Sequence, residues 1–139
     1  AWTLCDASRS GFGVASPVMD PEICRVGVLV GAHLGEVGRW VLALVRRVRS
    51  SEQGGATVGL QTISSEPVPV LLDDGSRSWS GILCDPVVRG RGVRIACEPG
   101  AMRSTRPVFA KLGGRMVKLQ PGRAVVSGPG YQIVECTLL

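Results

Sequence analysis

Val, Ile and Leu recur along the chain in short runs cut by glycine, proline or clusters of Asp and Ser. Runs rich in β-branched residues and bounded by turn formers predict strands. The first two, residues 2–5 and 12–15, flank the stretch DASRSG at residues 6–11. An Asp side chain can accept from backbone N–H groups two residues on, Ser does so more weakly, and Gly tolerates positive φ. A hairpin or bulged turn is predicted there. SPVMDPE (16–22) then reads as a loop, and CRVGVLVGAHL (24–34) as a strand bent at Gly27 and Gly31.

Residues 36–50, EVGRWVLALVRRVRS, carry two patterns at once. Val37, Trp40, Val41, Leu44, Val45 and Val48 follow helical spacing. Leu42 and Ala43 fill the gaps, so the centre is apolar on every side, as in a strand covered on both faces. The segment lacks a Ser, Thr or Asp N-cap, and SSEQGG followed by the alternating TVGLQTIS reads as a hairpin. A strand is predicted.

Residues 64–81, SSEPVPVLLDDGSRSWSG, contain Pro67, Pro69, Asp73, Asp74 and Gly75 and read as the join between two halves. The adjacent Asp73 and Asp74 fit chain reversal better than paired acid–base carboxylates. Beyond them, apolar runs are punctuated by Gly and Pro about every ten residues, the spacing of an all-β barrel or sandwich. The expected organisation is all-β, with residues 1–72 and 73–139 as two β-rich parts. DGSRSW at 74–79 echoes DASRSG, but the flanks disagree.

Composition narrows the function classes. The 139 residues are 45% hydrophobic and 19% charged, as in a folded domain. No apolar run approaches the ~20 residues of a membrane-spanning helix, and the N-terminus has no signal-peptide pattern. The net charge of +5, from 16 Lys and Arg against 11 Asp and Glu, is carried mostly by Arg and favours anionic partners, although codon bias accounts for much of the Arg excess. Five cysteines, Cys5, Cys24, Cys84, Cys97 and Cys136, are irregularly spaced without a C-x-x-C, and His33 is the sole histidine. This argues against a structural metal and a closed disulfide framework, makes most of the thiols small core residues, and points to a reducing cytoplasm.

From about residue 2 to residue 64 the chain resembles a PilZ domain, a small β-barrel whose signature is an R-x-x-x-R arm followed by [D/N]-x-S-x-x-G. DASRSG supplies Asp6, Ser8 and Gly11, and WVLALVRRVRSSEQGGATVGLQ is similar to the family's later strands. The expected fold is thus a PilZ-like barrel over 1–72 with a second barrel or sandwich half. The resemblance implies binding of cyclic di-GMP by a module of a longer bacterial signalling protein, with Asp6, Ser8, Arg9 and Gly11 as ligand contacts. A turn carboxylate suits guanine N1–H and N2–H₂, and a Ser hydroxyl with backbone N–H groups suits phosphate. Two features depart from the pattern: five residues precede Asp6, too few for the arm, and Gln61 stands where an aromatic is common. Either the arm lies upstream in a longer parent, or this is a degenerate module that binds no nucleotide and acts as a protein-interaction scaffold.

Other candidates are poorer. Arg46, Arg47 and Arg49 read as a solvated basic strand end. RGRGVR, with Arg89, Arg91 and Arg94, lacks the strand–helix context of a phosphate loop. His33 has no evident nucleophile partner, and there is no G-x-S-x-G or H-E-x-x-H. The six aromatics lie singly in apolar runs rather than as a base-stacking platform, which places a general nucleic-acid reader last. The sequence therefore predicts a cytoplasmic, non-enzymatic module without cofactor or metal, with cyclic di-GMP and protein partners as its ligands.

Overall fold

A computed structural model describes residues 2–8, 10–34, 38–103 and 105–139. All regular structure among them is β, as expected, and no helix is long and apolar enough to cross a membrane. The chain divides into two compact units, Ala1–Ser65 and Glu66–Leu139.

The first unit holds β1 (Thr3–Ala7), β2 (Gly11–Ser16), β3 (Leu29–Leu34), β4 (Arg39–Ser50) and β5 (Ala56–Ser64). They form a five-stranded sheet in the order β1-β2-β5-β4-β3. Every neighbouring pair is antiparallel. The ambiguous segment is a strand from Arg39 to Ser50, its residues 36 and 37 lying outside the described residues, and Val41 to Val45 are all buried. Alternation places Phe12, Val14, Val41, Ala43, Val45, Val58 and Leu60 together in one core with Cys24 from the loop before β3. The opposite face of β2 and β5 carries Gly11, Gly13, Gly59 and Gln61 instead.

The second unit holds β6 (Val68–Asp73), β7 (Ser78–Leu83), β8 (Gly92–Cys97), β9 (Val108–Leu112), β10 (Arg115–Gly128) and β11 (Tyr131–Leu138). These close into a barrel in the order β10-β11-β8-β7-β6-β9. Closure is thus seen in the second half of the chain, while the first half, where the resemblance placed a barrel, is the five-stranded sheet. Inward-pointing Leu72, Val93, Ile95, Val108, Ala110, Leu119, Val134 and Cys136 fill the interior, as expected for a barrel of few strands.

Residues 64–81, read as a join, instead contain β6, a turn and the start of β7. Their backbone belongs to the barrel because Leu71 to Asp73 also pair with β9. Pro69 is accommodated because β6 is bonded only to β7 at that position. The turn is held by acids. Asp73 Oδ1 accepts from Gly75 N at 2.6 Å, and Asp74 Oδ1 accepts from Ser76 N, Ser76 Oγ and Arg77 N.

None of the five cysteines is in a disulfide; Cys24, Cys84, Cys97 and Cys136 are buried and Cys5 is exposed. Burial pushes the Cys84 thiol up to about 11 and the Cys136 thiol up to about 12, so both stay protonated at neutral pH.

Two outcomes follow from these contacts. Leu72 is fully buried in the barrel, so Leu72→Ala lowers stability by about 2–5 kcal/mol, read as an earlier urea midpoint. The backbone N–H of Ser76, its hydroxyl and the N–H of Arg77 lower the Asp74 pKa to about 2. A depressed carboxylate stabilises the fold above its unfolded pKa of 3.8, and the contribution is lost as pH falls through about 2. An NMR titration of the Asp74 carboxyl should place its midpoint near 2, and Ser76→Ala should raise it.

Candidate functional site

The β1–β2 turn brings Asp6, Ser8 and Gly11 to one place. Ser8 closes it: its backbone N–H donates to the Gly11 carbonyl at 2.7 Å and its hydroxyl to the same oxygen at 3.2 Å. Thr62 N–H on β5 ties down the Ser10 carbonyl at 3.0 Å. Arg9 lies outside the described residues. Asp6 does not cap this turn, contrary to the role its spacing predicts. A bulge at Cys5 shifts the register of β1 so that Leu4 faces Val14 while Asp6 faces Gly13. The exposed Asp6 carboxylate thereby lies over Gly13, where an added Cβ would stand 2.6 Å from Oδ1. It has no hydrogen-bond partner among the described residues.

The echo sequence gives an internal comparison. Both DASRSG and DGSRSW lie at hairpin turns. The acid of the second is consumed by its own turn, whereas the acid of the first is not.

Across the sheet from Asp6, successive pairings run Asp6–Gly13, Gly13–Gly59 and Gly59–Arg47. An acid and a guanidinium thus bracket two side-chain-free positions in one transverse row. At about 4.8 Å per strand, β1 and β4 stand about 14 Å apart. Arg47 leans inward over Gly59, where an added Cβ would meet its Nε at 3.2 Å. A side chain at Gly11 would run into the Leu60 carbonyl. Gln61 Oε1 accepts from Arg46 Nε at 2.5 Å. The result is a polar hollow of about 410 Å³ lined by Asp6, Ser8, Gly13, Arg46, Arg47 and Gln61, among others.

Arg46, Arg47 and Arg49 are exposed, as a solvated strand end implies, and Arg46 and Arg47 also stand beside DASRSG, which the sequence does not announce. Within RGRGVR, Arg94 is not a free cation, while Arg89 and Arg91 are exposed. Arg94 forks onto Asp85, with Nε on Oδ2 and Nη2 on Oδ1, each at 2.8 Å. Its guanidinium lowers the Asp85 pKa, and Asp85 raises that of Arg94. His33 sets its ring edge-on to Trp40, with centroids 5.1 Å apart. Among the described residues, no three His, Cys, Asp or Glu side chains are grouped to hold a metal ion.

Comparison with known proteins adds no constraint: no family model, curated protein or solved structure matches the chain.

The row makes a steric prediction. Gly13→Ala must push the Asp6 carboxylate away, whereas Gly59→Ala meets only the flexible Arg47 side chain. The Asp6 carboxyl ¹³C resonance should therefore move in Gly13→Ala and stay in place in Gly59→Ala. Equal shifts in both would show that Asp6 does not rest on Gly13.

Proposed function

We propose that the first unit binds cyclic di-GMP on this glycine-floored face, as the sensor or effector module of a longer bacterial signalling protein. The observation that carries the reading is the spare Asp6 carboxylate. It has no hydrogen-bond partner among the described residues, and it lies over Gly13 in the row that ends at Arg47. A carboxylate is acceptor-only and matches the adjacent N1–H and N2–H₂ donors on the guanine edge. Adenine offers no such donor pair, so the same acid selects against it. The Gly13 and Gly59 positions let the Asp6 and Arg47 side chains lie close to the backbone, a known use of strand glycine, and so bring an acid and a guanidinium toward each other for one ligand. Ser8, whose hydroxyl donates to the Gly11 carbonyl, leaves both oxygen lone pairs to accept from a ligand N–H beside Asp6. The match of DASRSG to the PilZ signature supports the same ligand.

Calorimetric titration of cyclic di-GMP tests this. Wild-type protein should bind saturably, and Asp6→Ala should weaken binding about 10- to 100-fold, the cost of a hydrogen bond to a charged group. Cyclic di-AMP should bind far more weakly. Absence of cyclic di-GMP binding, or full binding by Asp6→Ala, would overturn the proposal.

A further inference from the structure

We infer that Arg46 and Arg47 form the anion-binding half of this face and receive a phosphate of the bound nucleotide. The placement of the base rests on the function proposed above; the phosphate site stands on its own geometry.

Adjacent residues of a strand normally point to opposite faces. Here they do not. Val45 pairs with Leu60 and Arg47 with Gly59, so two steps along β4 match one step along β5 and Arg46 is the extra residue of a bulge. Both guanidinium groups consequently line the same hollow. Discouraging edge pairing would need charge on β4 but not this turning of two successive arginines onto one face.

The two groups are also held ready. The bond from Arg46 Nε to Gln61 fixes the plane of that guanidinium and leaves its two Nη groups for another acceptor. Arg47 extends over Gly59, where the missing side chain makes room for it. Among the described residues, no carboxylate forms an ion pair with either. Forked cations of this kind match phosphate oxygens in pairs. The acid and the guanidinium pair lie at opposite ends of the Asp6–Gly13–Gly59–Arg47 row. A guanine nucleotide bound here sets its base edge on Asp6 and a phosphate between Arg46 and Arg47. Gln61 is a positioning residue: it acts through Arg46.

The test compares guanosine, 5′-GMP, pyrophosphate and cyclic di-GMP, titrated into ¹⁵N-labelled wild-type protein and into the Arg46→Ala/Arg47→Ala variant. Both arginines are exposed, so the variant should retain the wild-type amide spectrum outside the hollow. Wild-type protein should bind 5′-GMP at least about tenfold more tightly than guanosine, with the Arg46 and Arg47 Nε–H signals shifting, and the variant should lose that preference. Gln61→Ala should reduce the preference partly and weaken its Arg46 component. Equal affinity for guanosine and 5′-GMP in the wild type, or an undiminished preference in the variant, would overturn the inference. If 5′-GMP and pyrophosphate shift the two arginines while cyclic di-GMP does not bind, the phosphate site stands and the dinucleotide reading falls. If none of the four binds, both fall.

Discussion

Steric absence governs the first unit. Gly13 and Gly59 face each other on the two central strands of one row, and nothing projects from either. Asp6 can lie inward only because Gly13 has no Cβ, and Arg47 leans in only because Gly59 has none. Strand glycines weaken a sheet by losing side-chain packing and adding backbone entropy. Here the loss falls on the face away from the Phe12–Val58–Leu60 core, which keeps its full set of apolar partners. Stability comes from one face, and the other carries the charged side chains that its glycines admit.

Two bulges aim the charged groups at that floor. The bulge at Cys5 sets Asp6 on Gly13, and the bulge at Arg46 sets two arginines on one side. Each is a single extra residue on the outer strand of its pair, and the β4–β5 ladder carries a further shift between Leu42 and Ala43. The same chemistry is used differently in the barrel, where Asp85 and Arg94 satisfy each other and Asp73 and Asp74 are spent on their own turn. Charge alone therefore does not mark the site; charge left unpaired at a cleared surface does.

Much of the architecture was legible from local pattern. β4 was recognisable because SSEQGG and the alternating strand after it outweighed helical spacing, and the continuous burial of Val41 to Val45 explains the filled gaps. DASRSG was legible as a turn, since Gly and Ser act there through neighbours in sequence. Asp6 was misassigned within it, because its position depends on a register shift that no short stretch encodes. The same holds for Arg46 and Arg47: their co-facial placement follows from pairing with a strand beyond the next turn. The spacing of the second half allowed a barrel or a sandwich; what decides for the barrel, β6 meeting β9, lies across a long interval of chain. Pro67 and Pro69 marked that region as a join, although Pro69 sits where only one side of β6 is bonded.

The central claim is that the glycine floor is the surface on which a ligand lies. The direct measurement is the ¹⁵N–¹H spectrum of the whole chain during addition of cyclic di-GMP. The account predicts that the largest shifts fall on the amides of Gly11, Gly13 and Gly59, with those of Asp6 and Arg47 following at the same ligand concentration. Shifts concentrated in residues 66–139, or on the apolar face around Phe12 and Val58, would contradict it.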